Sequence, residues 1–230
     1  MNNLEIDQLL IVGNYYQLSG KIRARRSLVI SSLKPDKIIG FDLLVIMMNP
    51  GSSRAISDEP IEIIDQSIKS LSHLVQAHPD DTQSQIIRLM GLHNFQTALV
   101  INLSDVIETN SNTFVKELHE CEYADAGSDH SIFNDIRTSE LEEIKTLTRN
   151  CPVIIASGVN YKLRFLTRIA ESSFDSSRVI GWKNSKGLFY HPLPRSKSKQ
   201  EEWIQKIGSE ISANKALHSD GNSAALHCRR

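Results

Sequence analysis

The chain has 230 residues, 40% of them hydrophobic and 23% charged, with a formal net charge of −1. That length suits one sizeable core, and no apolar run approaches the roughly 20 residues needed to span a bilayer. A balance so close to neutral gives no global attraction to polyanions, so any nucleic-acid contact has to come from local clusters.

Met1 to Asp7 lack the basic start and apolar stretch of a secretory signal, so a cytoplasmic location is expected. Lys21, Arg23, Arg25 and Arg26 form one cationic cluster, read as the solvated face of a helix. Asp42 to Met48 is a continuous apolar run ended by Asn49-Pro50-Gly51, the pattern of a doubly buried strand meeting a sharp turn, and is taken as the first strand. Pro60 to Gln76 carries Ile61, Ile64, Ile68, Leu71 and Val75 at a helical period, and a second helix is expected over Thr82 to Met90.

Thr97 to Ile101 reads as the next buried strand, running into Asn102. The polar stretch from Glu108 to Asn134 is expected to be irregular, with a single helical turn near Phe114 to His119. A helix over Thr138 to Thr148, a strand over Pro152 to Ala156 and a helix over Val159 to Glu171 then continue in βαβ rhythm. Short strands are expected at Arg178 to Trp182 and Gly187 to Tyr190, and a helix at Gln200 to Ile211.

The sum is an α/β fold with a central, mainly parallel sheet of four to five strands. One domain is expected over residues 1–211, with a flexible tail over 212–230. The three cysteines, Cys121, Cys151 and Cys228, lie too far apart for a paired zinc or redox motif and are read as free thiols. No dinucleotide fingerprint or phosphate loop is present.

Open parallel sheets bind ligands outside the carboxyl ends of their strands. Those ends carry Asn49-Pro50-Gly51, Asn102, Ser157-Gly158 and His191-Pro192-Leu193-Pro194, in that order. In this layout the chain resembles the uracil-DNA glycosylase superfamily over roughly Asp42 to Trp203. Met47 to Gly51 is similar to the first motif of the thymine- and mismatch-specific branch, and Phe189 to Arg195 to the second motif, a His-Pro loop followed by a wedge residue. Val100 to Asn102 and Ile155 to Gly158 resemble the strands between. The same series is also similar to a bacterial family of unknown function. The chain departs from the uracil-specific pattern: Asn49 stands where that branch has an acidic residue, no tyrosine follows the proline, and the cysteines of an iron-sulfur branch are absent.

The resemblance implies a three-layer α/β/α domain that flips a base out of DNA and excises it without metal or cofactor. Asn49 orients the attacking water and His191 supports the departing base, as the catalytic pair. Asn102 reads the pyrimidine edge, with Gly51 and Ser52 lining the base; glycine at 51 leaves room for a substituent at the pyrimidine 5-position. The substrate so implied is a 5-substituted pyrimidine, such as hydroxymethyl- or glucosyl-hydroxymethylcytosine of phage DNA, or mismatched thymine or uracil. Arg195 fills the gap left by flipping, Lys197 and Lys199 meet phosphates, and Ser157 and Gly158 offer backbone amides. The expected partner is double-stranded DNA, and nothing in the sequence demands more than a monomer. The polar ending resembles the run-on endings of mobile gene cassettes, which points to antiviral defence beside repair.

Three alternatives stand beside this reading. One is a catalytically inactive DNA- or nucleotide-binding module of the same fold. A second is a serine hydrolase assembled from Ser52, His191 and Asp105, disfavoured because no G-x-S-x-G elbow exists. The third is a zinc hydrolase using His73, His78, His93 and His119, disfavoured because these lack an i, i+4 pairing with an acidic partner.

Overall fold

The structure, a computed structural model, describes residues 6–18, 22–56, 74–123 and 130–225. Its strands are β1 (Leu10–Leu18), β2 (Ile22–Ser31), β3 (Leu43–Met47), β4 (Val75–Gln76), β5 (Thr97–Asn102), β6 (Val153–Ala156) and β7 (Val179–Ile180). The helices are α1 (Asp81–His93), α2 (Ser111–Tyr123), α3 (Thr138–Leu147), α4 (Arg164–Ser172) and α5 (Lys197–Ala225). No helix among the described residues is long and apolar enough to cross a membrane.

The strands form one sheet in the order β4-β1-β2-β5-β3-β6-β7. β5, β3, β6 and β7 pair in parallel, whereas β4, β1 and β2 are antiparallel and join the rest through an antiparallel β2–β5 ladder. The sheet is therefore mixed, which corrects the expectation of a mainly parallel one. The difference is the N-terminal hairpin, so the strand at Leu43 is third in the chain rather than first. Its residues favour strand through Ile11, Val12, Tyr15, Tyr16, Val29 and Ile30. The cationic cluster therefore lies on a strand, and Arg25 and Arg26 are only 3% and 8% exposed.

Other differences have local causes. Of the helix expected over 60–76, residues 57–73 lie outside the described residues, and Val75–Gln76 is instead a strand paired with Gly13 and Val12. The stretch expected to be irregular contains α2, started by Asn110, whose Oδ1 accepts from Asn112 N and Thr113 N. Phe114, Val115 and Leu118 give α2 the apolar stripe that buries it. Residues 187–190 are not a sheet strand; Phe189 makes one isolated bridge to Lys183. The C-terminal helix expected over 200–211 begins at Lys197 and continues to Ala225.

Helices cover both faces. On one face, Leu44, Ile46, Leu99, Ile101, Val153 and Ile155 pack against α2, α3 and α4. On the other, Leu43, Val45, Ala98, Val100 and Ile154 pack against Ile86 and Met90 of α1 and Trp203 and Ile207 of α5. A bidentate Arg88–Glu201 pair joins these last two helices at 2.9 and 2.7 Å. The chain leaving β3 runs to the α1 face, while the chain leaving its two neighbours, β5 and β6, runs to the opposite face. The loops diverge there, so the carboxyl end of β3 is the crevice of this sheet.

Candidate functional site

Asn49 and Asn102 end adjacent strands, because Met47 pairs with Asn102 across the parallel ladder. The ladder continues one step further, with Leu103 N donating to Met47 O at 2.8 Å and Ser104 N to Met48 O at 3.1 Å. Asn49 is buried, and its Nδ2 donates to Val106 O at 3.2 Å and Glu108 O at 2.6 Å, which ties the two strand-end loops together. Its Oδ1 has no partner among the described residues and is left to accept. The amide can thus hold the loop and orient a water with opposite ends.

The turn after Asn49 is closed by Ser53 N donating to Pro50 O at 3.2 Å. Gly51 takes φ +63° there, a left-handed conformation that favours glycine, and a Cβ placed on it would meet nothing within 4 Å. Ser52, expected to line the base, is exposed. The buried serine of this turn is Ser53, which shares a 2.9 Å hydrogen bond with the Tyr15 hydroxyl.

Asn102 is fully buried, and neither its Nδ2 nor its Oδ1 has a hydrogen-bond partner among the described residues. Strand alternation puts its side chain on the face of Val100, the α1 and α5 side, next to Met47. Each such buried polar atom costs about 1–3 kcal/mol when left unpaired. A donor and an acceptor side by side suit one edge of a pyrimidine.

His191 follows a segment pinned from two sides. Tyr190 N donates to Trp182 O at 2.8 Å, Tyr190 O accepts from Trp203 Nε1 at 3.2 Å, and the Trp182 and Tyr190 rings lie 4.3 Å apart. Gly181 allows the close approach, since a Cβ there would fall 2.4 Å from the Phe189 ring and 2.8 Å from Ile155 O. The His191 Nδ1 accepts from Leu193 N at 3.1 Å, so the ring proton resides on Nε2. Burial pushes its pKa down to about 4, which keeps the ring neutral at physiological pH. Nε2–H is therefore an uncharged donor without a partner among the described residues. In the sheet β6 lies between β3 and β7.

Asp105 is fully buried, and its Oδ2 accepts from Arg137 Nη1 and the Tyr16 hydroxyl, both at 2.7 Å. Burial pushes its pKa up to about 6, with the Arg137 charge opposing. Arg137 also holds Glu140, which pairs with Arg26 at 3.1 Å. With Ser52 exposed and Asp105 locked in this network, Ser52, His191 and Asp105 do not form a catalytic triad.

Arg195, Lys197 and Lys199 are exposed at the start of α5 and make no ion pair with any described residue. The Ser157 hydroxyl is occupied with Thr167 Oγ1 at 3.4 Å, while Gly158 takes φ +82° beside open space. Sequence reasoning did not single out the segment after Gly158. Val159, Tyr161 and Phe165 are 47%, 57% and 70% exposed there, interleaved with exposed Lys162, Arg164 and Arg168. The Arg164 guanidinium stacks 4.3 Å from the Tyr161 ring centroid. An aromatic-and-basic alternation at a strand's carboxyl end was the available signal.

The chain matches no protein-family model, no curated protein and no solved structure.

Proposed function

We propose that the protein is a monofunctional DNA glycosylase that flips a pyrimidine out of double-stranded DNA and cleaves its N-glycosidic bond, leaving an abasic site. The observation that carries this reading is Asn102, an amide with both polar ends buried and unpartnered at the crevice of the sheet. A flipped pyrimidine supplies the acceptor and donor that this amide lacks. The four-strand parallel core with helices on both faces supports the finer reading of a three-layer, uracil-DNA glycosylase-like domain.

Asn49 Oδ1 orients the water that attacks the anomeric carbon as the bond to the base breaks. His191 Nε2–H donates to the oxygen of the departing base, on which negative charge develops, and the neutral ring stabilises that anion by hydrogen bonding. An amide is a weaker activator than a carboxylate, so turnover is slow. The space beside Gly51 favours pyrimidines carrying a 5-substituent. Arg195, Lys197 and Lys199 meet the DNA backbone, joined by Lys162, Arg164 and Arg168, with Tyr161 and Phe165 as stacking surfaces. The setting is a cytoplasmic monomer serving antiviral defence or repair, both of which use the same pocket.

The test uses duplexes carrying uracil, mismatched thymine, hydroxymethylcytosine or glucosylated hydroxymethylcytosine, assayed for alkali-labile abasic sites. Release that His191→Ala loses establishes the activity and names the base. DNA binding without release from any duplex, unchanged in Asn49→Ala, favours instead an inactive binding module of the same fold.

A further inference from the structure

A second group of unsatisfied polar side chains lies on the same face as Asn102 and comes from the N-terminal hairpin and α1. Arg25 sits opposite Tyr15 in the β1–β2 ladder and anchors the loop after β5 through Arg25 N to Asp105 O at 2.8 Å. Arg25 is 3% exposed, and among the described residues it forms no ion pair and its Nε has no partner. The Tyr15 hydroxyl is its hydrogen-bonding neighbour, and that hydroxyl is shared with Ser53, two residues from Gly51. The Asp80 carboxylate stands in the field of both Arg25 and Tyr15 and caps α1 by accepting from Gln83 N at 2.8 Å. Gln83 is itself 3% exposed, and both its amide atoms lack a partner among the described residues. Because α1 runs back toward the start of β5, its N-terminus lies at the carboxyl end of the sheet.

We infer that Arg25, Tyr15, Ser53 and Gln83 form a specificity pocket for a hydroxyl-bearing substituent on the pyrimidine 5-position, a deepening that rests on the glycosylase reading above. Buried polar atoms are satisfied by protein, ordered water or a ligand, and a bound group that donates and accepts would supply the partners that Arg25 Nε and the Gln83 amide lack among the described residues. Charge decides its class. Asp80 and Asp105 already lie in the field of Arg25, so an anionic group entering beside it meets their repulsion. A methyl group satisfies none of these atoms. A hydroxyl donates and accepts at once, which matches the Gln83 amide, the paired hydroxyls of Tyr15 and Ser53, and the donors of Arg25. A sugar hydroxyl array occupies more of them than a single hydroxymethyl group does.

The test compares duplexes identical except for a central 5-methyl-, 5-hydroxymethyl- or glucosylated 5-hydroxymethylcytosine. Dissociation constants are measured by fluorescence anisotropy for His191→Ala, which prevents turnover, and for His191→Ala combined with Gln83→Leu. Gln83→Leu removes two unpartnered atoms from the interior and keeps the fold, which circular dichroism checks. The hydroxylated duplexes should bind about tenfold or more tighter than the methylated one, and Gln83→Leu should shrink that preference to within about twofold. Equal affinity for methylated and hydroxylated duplexes, or a preference that survives Gln83→Leu, overturns the pocket. Wild-type release of the methylated base as fast as the hydroxylated ones sinks the inference and keeps the glycosylase. Hydroxyl-selective binding with no release from any duplex keeps the pocket and sinks the excision.

Discussion

Replacing Asn102 by leucine should stabilise the free protein while abolishing base release. The two amide atoms are fully buried and unpartnered, and at about 1–3 kcal/mol each they cost roughly 2–6 kcal/mol. Leucine has the same heavy-atom skeleton but bulkier ends, which costs about 1 kcal/mol in fit. The middle of the remaining range is about 2–3 kcal/mol, and a chain of this length shifts by about 2–4 °C per kcal/mol, so Tm should rise by roughly 4–12 °C. Single-turnover release should fall at least about 100-fold, as the pyrimidine edge loses both contacts. The assay is thermal denaturation without DNA, paired with abasic-site formation on the best duplex. A fall in Tm of several degrees would refute the reasoning, since it would mean that Asn102 holds the fold together rather than awaiting a ligand.

The same geometry sets other outcomes. The folded pKa of His191, about 4, lies below its ordinary value, so the ring stays neutral as pH falls until it approaches that value. The release rate should accordingly be flat between about pH 5.5 and about pH 8, and the ring's NMR titration should lack an inflection near its ordinary pKa of about 6.5. Arg137→Met leaves Asp105 and Glu140 buried without their shared cation and should destabilise by about 3–5 kcal/mol in urea unfolding. Arg195→Gln, Lys197→Gln and Lys199→Gln should each lower the slope of log affinity for DNA against log salt by about one, with little change between bases.

The strand-end asparagines, the Gly51 turn and the His-Pro loop were legible because they interrupt or end strong patterns. Leu43–Met47, Thr97–Asn102 and Val153–Ala156 are buried on both faces, and a polar residue at the end of such a run marks the edge of the sheet. The hairpin was not legible for the opposite reason. Its β2 holds Arg23, Arg25 and Arg26, and charge in sequence reads as solvent exposure, whereas here a register shift between Asn14 and Tyr15 sends the two neighbouring arginines to different partners. Arg26 reaches Glu140 and lies 5.3 Å from the Tyr16 ring centroid, while Arg25 stands beside Tyr15. Ser52 and Ser53 pose the same difficulty at finer scale, because only the turn decides which serine enters the interior. Tyr161 and Phe165 were missed since aromatic residues at helical spacing ordinarily face a core, and exposure becomes visible only once α4 is packed.

The contrast between the two faces of the sheet argues that the unsatisfied side chains belong to function. Beneath α3, Asp105, Arg137, Glu140 and Arg26 are all buried, and each has an ion-pair partner within 3.1 Å. Asp105 Oδ1 lacks a partner among the described residues, on a group whose other oxygen is held twice. In that network the buried charges pair with one another. On the α1 face, among the described residues, the amides of Asn102 and Gln83 lack a partner at both ends, and Arg25 has no ion pair. Their position at the end of the sheet that holds Asn102 and the Gly51 turn is what the proposed ligand site requires, at a cost in stability.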